Sequence, residues 1–289
     1  MISFLRHTAT IVRPDYAQYL AITLERNRLF AGVLIVGFAN GIVDRIADGF
    51  ARGDVAELVL NTFEISAIVW VALIVAVVFL LRSERLAATP ADSVVAAIAA
   101  AACMIPMTPL SWIALSGLAV YALRTSFPGS YAHRAAWIML AIAVPMFWSR
   151  AAFAILSDPI LKFDALLVGW VIGTEHIGNT IGFADGTGYL WIAPDCSSFM
   201  NVSLAVLGWV LFTQMFARER PLHHWWWCVL ACAAVILINV TRLSLIGLYP
   251  EHGGVLHGML GATVANWATL IAIVGICALG ARHDLQTQR

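Results

Sequence analysis

The chain is 289 residues long, 61% hydrophobic and only 12% charged, with a mean hydropathy of +0.84, and its 17 cationic residues balance 17 acidic ones. A soluble domain carries about 25% charged residues, so these figures exclude a soluble globular protein and leave no basic excess for binding nucleic acid. They describe an all-α polytopic membrane protein, because in hydrocarbon only helices and closed barrels satisfy their own backbone.

Apolar runs of roughly 20 residues predict eight helices, at about 29–47, 65–81, 93–107, 110–123, 136–156, 197–217, 225–248 and 257–280. Asn40, Asp44 and Arg45 interrupt the first, and the third is short and ends at "MIPMTP". Residues 159–172, "PILKFDALLVGWVI", read as a separate amphipathic helix lying in the interface, broken by Lys162 and Asp164. No hydrophilic stretch is long enough to bury a soluble core, so residues 1–289 form one integral membrane domain. Residues 1–28 contain acids and lack a small-residue cleavage site after a short apolar core, which makes them a cytoplasmic lead-in rather than a removable signal.

Cytoplasmic loops retain Lys and Arg. With the N-terminus inside, the cytoplasmic segments hold Arg6, Arg13, Arg26, Arg28, Arg82, Arg85, Arg124, Arg134, Arg218, Arg220, Arg282 and Arg289, 12 of the 17 cationic residues. Arg45, Arg52, Arg150, Lys162 and Arg242 fall on the other side or at membrane depth, with 11 of the 17 acidic residues. Both termini are therefore expected in the cytoplasm.

The longest non-helical piece, Gly173 to Asp195, contains "NTIGFADGTGYLWIA", in which β-branched and aromatic residues flank an Asp185-Gly186-Thr187-Gly188 turn. This predicts a hairpin over 178–193 on the extracytoplasmic side. It leads directly into "PDCSSFMN", where Asp195, Cys196, Ser197 and Ser198 precede an apolar run. Cys103, Cys228, Cys232 and Cys277 lie inside apolar runs and read as small hydrophobes. Cys228 and Cys232 are four apart, but no His or carboxylate joins them to make a metal site. Cys196 differs, since helix N-terminal amides and a nearby cation both favour thiolate over thiol.

Arg242, in "LINVTRLSLIGLY", is a cation inside an apolar helix, where it costs about 2.5–3.5 kcal/mol even on the lenient insertion scale. It is two turns from Tyr249, so snorkelling to headgroups is one reading and a chemical role is the other. Asn239, three residues earlier on the same face, is placed to hold the guanidinium. His257 opens the last predicted helix in "HGGVLHGMLGA" and shares a face with Gly261 and Ala265. Cys196, Arg242 and His257 thus occupy one outer layer of three successive helices, offering a nucleophile, a proton shuttle and a stabilising cation. His176 and His252 lie on the same side, and spacing does not choose among the three histidines.

These motifs, "PDCSSFMN", "NVTRL" and "HGMLG", resemble in order and spacing the Cys-Ser, Asn-x-x-Arg and His motifs of the exosortase/archaeosortase family of multipass membrane cysteine transpeptidase-proteases. The likeness covers about residues 150–280; the family pattern often continues Cys-Ser-Gly, where this chain has Ser197-Ser198. The resemblance implies a nucleophilic Cys196, a proton-shuttling His257 and a stabilising Arg242, with Asn239, Ser197 and Asp195 supporting them and no cofactor. It implies residence in the cytoplasmic membrane with an extracytoplasmic active site. The implied substrates are exported proteins ending in a short motif, a transmembrane helix and a basic tail, and the implied acceptor is a surface polysaccharide or lipid.

Two other classes compete. In a transporter Arg242 would bind an anionic solute, but no inverted repeat or pair of broken helices is visible. A non-enzymatic assembly factor for an envelope polysaccharide is the third reading. Gly-x-Ser-Gly and His-Glu-x-x-His, the marks of other intramembrane proteases, do not occur.

Overall fold

A computed structural model describes residues 24–51, 62–216 and 225–287, with the side chains of Asp195, Met259 and residues 283–287 outside the description. The expected lead-in up to residue 23, together with Arg52, Arg218, Arg220 and Arg289, lies outside the described residues. The protein is an all-α, polytopic membrane protein, 81% helical, with one small three-stranded sheet. Every predicted apolar run is a helix: α1 (Arg26–Asn40) with α2 (Val43–Ala51), α3 (Ala67–Arg82), α4 (Pro90–Met104), α5 (Thr108–Thr125), α6 (Tyr131–Ala143), α7 (Ser149–Ile172), α8 (Ser198–Phe216), α9 (Trp226–Leu248) and α11 (Met259–Thr287). A one-turn helix, α10 (Gly253–His257), precedes the last. Among the described residues five helical stretches can cross a membrane by length and composition: Arg26–Ala51, Tyr131–Ile172, Ser198–Phe216, Trp226–Leu248 and Leu260–Arg282. Helices α3 and α4 are shorter and apolar.

The helices alternate in direction, which gives the bundle two ends. At one, here the far end, the start of α1 meets the start of α4 and the end of α5. Arg26 Nε donates to Asp92 Oδ1 at 2.9 Å and its Nη1 to Ser126 Oγ at 3.2 Å. Asp92 also closes a capping box with Thr89 behind Pro90, which explains why α4 starts there. The other end carries the sheet. Between them the helices meet through small residues: Ala72 and Ala76 of α3 and Ala135, Ala136 and Ala143 of α6 are all fully buried. Without a hydrophobic force between helices in lipid, such side chains stabilise a bundle by letting backbones approach.

Two sequence expectations need correction. The segment 159–172 is not a separate helix. It is the C-terminal part of α7, which continues α6 through a π-turn at Val144–Trp148. Pro159 removes one backbone donor, and the distorted Leu156 (φ −112°, ψ 17°) accommodates its ring without ending the helix. The last helix begins at Met259 rather than at 257: Gly258, extended at φ −71° and ψ −174°, breaks the chain after α10. His257 therefore ends a short helix and does not continue the face of Gly261 and Ala265.

The hairpin exists as drawn from the sequence and has one strand more. β2 (Thr180–Gly182) pairs antiparallel with β3 (Tyr189–Trp191), and β1 (His176–Ile177) pairs with the other edge of β2. Gly186 sits in the turn at φ +73°, a region that only glycine enters at little cost. A second apolar core lies beneath the sheet, formed by Leu161, Ala165 and Val168 of α7, Ile181, Ile192, Cys196, and Val240, Leu243 and Ile246 of α9.

Candidate functional site

The chain reaches Cys196 along a fixed path. Asn179 holds the strand leaving the sheet at both polar atoms of Ile192: Ile192 N donates to Asn179 O at 2.9 Å, and Asn179 Nδ2 donates to Ile192 O at 3.0 Å. The sheet is tied to the end of α9 by Ala184 N to Gly247 O at 3.0 Å. Pro194–Cys196 then forms one 3-10 turn, with Cys196 N donating to Ala193 O at 2.9 Å, and α8 follows. Cys196 is 6% exposed, within the second core.

Asn239 reaches the same place from α9. Its two amide hydrogens go to Cys196 O at 2.8 Å and Ser198 Oγ at 3.0 Å. The expected Asn239–guanidinium clamp is therefore replaced by a clamp on the start of α8, because a buried amide facing a free carbonyl must satisfy it. Arg242 lies one turn further along α9, half-buried, and its Nε donates to Leu256 O at 3.3 Å. This ties the guanidinium to the residue before His257. The His257 side chain itself is exposed. The structure thus gathers the end of α9, the start of α8 and α10 into one cluster, with Leu256 packed against the core that holds Cys196. His176 and His252 are also exposed; His252 lies 3.2 Å from Glu251.

Asp164 belongs to this cluster and is absent from the sequence-derived site. It is 2% exposed, and its Oδ2 accepts from Ser197 Oγ at 2.9 Å and from Ser198 N at 3.2 Å. Ser197 Oγ in turn accepts from Phe199 N at 3.2 Å. Two of the amides that open α8 are thus occupied by Asp164 and Ser197, which stabilises the helix start. They are not directed at the thiol. The backbone of Asp195 forms the turn, while its side chain lies outside the described residues. Among the described residues no group of three or more His, Cys, Asp and Glu converges on a metal position.

The signal for Asp164 was available in periodicity. Leu161, Ala165 and Val168 make an apolar stripe at i, i+4 and i+7, and Asp164 adjoins that stripe rather than the opposite face. No protein-family model, curated protein or solved structure matches the chain.

Proposed function

We propose that this membrane protein is a cysteine peptidase or transpeptidase that cuts the C-terminal sorting signals of exported proteins. The observation that supports it is the clustering of Cys196, Asn239, Arg242 and the segment ending in His257 at the sheet end of successive helices. In this reading the Cys196 thiolate attacks the scissile carbonyl, and Arg242 stabilises the oxyanion. The C–N bond breaks as His257 protonates the leaving amine, which departs on the fragment carrying the transmembrane helix. The thioester is then opened by water or by a nucleophile on a surface acceptor, which regenerates the thiol. Because His257 is exposed and Cys196 buried, the reaction requires α10 to turn about Gly253-Gly254 and Gly258 to bring imidazole and sulfur within about 3 Å.

Charge supports the orientation. The far end carries Arg26, Arg28, Arg82, Arg85, Arg124, Arg134 and Arg282, which by the positive-inside rule makes it cytoplasmic and the sheet end extracytoplasmic. Strand β3 is an edge of the sheet, five residues before Cys196, and an extended peptide added to it would run toward the thiol.

The test uses a secreted reporter fused to a tripartite tail from an exported protein of the same host. Cys196→Ala is expected to abolish processing on a gel while membrane abundance stays normal. Undiminished processing by that variant would eliminate the peptidase reading.

A further inference from the structure

Helix α1 is short for a membrane span. Its 15 residues rise about 22 Å, and both of its ends are tied to the α4–α5 hairpin. At the far end Arg26 donates to Asp92, and at the sheet end Asn40 Nδ2 donates to Ile105 O at 3.0 Å and Trp112 Nε1 to Gly41 O at 2.9 Å. This part of the bundle therefore closes short of a hydrocarbon core of about 30 Å. Helix α2 continues past it. Gly41 stays in right-handed helical space at φ −67° and ψ −8°, so the chain does not reverse, and the 26 residues from Arg26 to Ala51 rise about 39 Å along their axis.

The two sides of α2 are the reverse of what packing against a protein in water produces, where the apolar stripe of a helix turns inward. Val43, Ala47 and Phe50, a stripe at i, i+4 and i+7, are exposed, Phe50 by 57%. The polar side is the one that bonds to the protein: Thr108 Oγ1 donates to Asp44, and Arg45 Nη1 donates to Glu64 O at 2.9 Å. Nor does the apolar stripe begin in α2. Gly32, Val36 and Ala39 are exposed at the same helical spacing in α1, so the lipid-facing surface of the membrane span runs without interruption onto α2. What meets Ala39 also meets Val43, one turn further along.

We propose that α2 is a wall between lipid and water. Its stripe of Val43, Ala47 and Phe50 lies against the acyl chains of the leaflet at the sheet end, and its side bearing Asp44, Arg45 and Asp48 lines a hydrated recess over the turn between α4 and α5. Charged groups at membrane depth persist where they face protein or a water-filled cavity, and this side has both: Asp44 and Asp48 are exposed, and each has a partner. Glu64, whose carbonyl Arg45 holds, also lines an open cavity of about 670 Å³. Asn201 of α8 and Asn266 of α11 line the same cavity, and their helices touch at Gly208 and Ile273. The recess and the cavity thus adjoin, and α2 keeps acyl chains from the polar groups beyond the short end of α4. The wall does not depend on the peptidase reading.

The test places a diazirine amino acid at position 50 or at position 48 of the full-length chain, in nanodiscs of dioleoylphosphatidylcholine, where both bilayer faces are open to water. The carbene formed on illumination inserts into whatever medium it meets, and the mass of the peptide that carries it identifies the product. The expected result is a phospholipid adduct at 50, and at 48 a water adduct or a link within the chain. Water at 50, phospholipid at 48, or a link from 50 to a second copy of the chain overturns the proposal. As a second measurement, Ala47→Cys and Asp48→Cys are treated in the same nanodiscs with a charged thiosulfonate, which needs a thiolate in contact with water, and the unsubstituted chain supplies the background of the native cysteines. Label above that background is expected at 48 and not at 47. Equal labelling of the two positions, or label at 47 alone, overturns the wall.

Discussion

At the far end, Arg26 and Asp92 are 5% and 3% exposed and are paired with each other. Asp92 accepts from Arg26, Tyr121 and Thr89, and Arg26 also donates to Ser126 and Thr125. At the sheet end, the half-buried Asn201 and the exposed Asn266 line an open cavity of about 670 Å³ between the starts of α3 and α11. One end uses its polar groups as internal closure; the other carries them on an open surface. In a low-dielectric setting a buried charge pair that is hydrogen-bonded rigidifies its surroundings, whereas polar groups on an open surface need no internal partner.

That contrast can be broken in order of effect. The largest is expected at the candidate site: His257→Ala should match Cys196→Ala in losing reporter processing, since members of one catalytic unit are not additive, whereas His252→Ala and His176→Ala keep it. Loss at His252 with none at His257 would show the wrong histidine was chosen. Arg242→Lys should also fall strongly, because lysine retains charge but not the planar fork; a snorkelling arginine would tolerate the exchange. Next, Asp92→Ala leaves Arg26 buried without its partner and should destabilise the protein by about 3–5 kcal/mol, read as earlier thermal aggregation in detergent. Arg26→Met with Asp92→Leu should recover most of that loss; if it does not, the far end is more than a closed network.

Asp164→Ala should cost about 1–3 kcal/mol, the desolvation of the abandoned Ser197 hydroxyl and Ser198 amide, and Asp164→Asn less, since an acceptor remains. The smallest effect concerns the hairpin turn. The backbone N–H and hydroxyl of Thr187 donate to Asp185 and hold its carboxyl below the ordinary value of about 3.9. A depressed carboxylate stabilises the fold above its unfolded value and loses that contribution as pH falls through the folded one. The turn should therefore loosen on acidification below about pH 4, seen as faster amide exchange at Thr187, and Asp185→Ala should remove this dependence.

The fold was largely legible because membrane helices announce themselves by length and apolarity; helices α3, α8 and α9 begin and end within two residues of the apolar runs. What escaped notice depends on partners distant in sequence. Asp164 looks like an interruption until Ser197 and Ser198, 33 and 34 residues away, arrive to bond it. Helical spacing, being local, points Asn239 at its neighbour Arg242, whereas its acceptors lie at and just before the start of α8, more than 40 residues back. Gly258 looks like part of a helix because glycine in an apolar run is common in membranes, and its conformation makes the break. The cavity was illegible for the same reason: Asn201 and Asn266 face a shared space only once Gly208 has brought their helices together.

The helices differ greatly in length. The 42 residues from Tyr131 to Ile172 rise about 63 Å, whereas the 16 of α3 rise about 24 Å, against a hydrocarbon core of about 30 Å. A bilayer meeting both must thin beside α3, at a fraction of a kcal/mol per Å of mismatch. The cavity opens beside that same helix. Lipid thickness therefore sets how deep its lining lies below the headgroups. Acyl-chain length thus changes the surroundings of the sheet end without touching any residue of it.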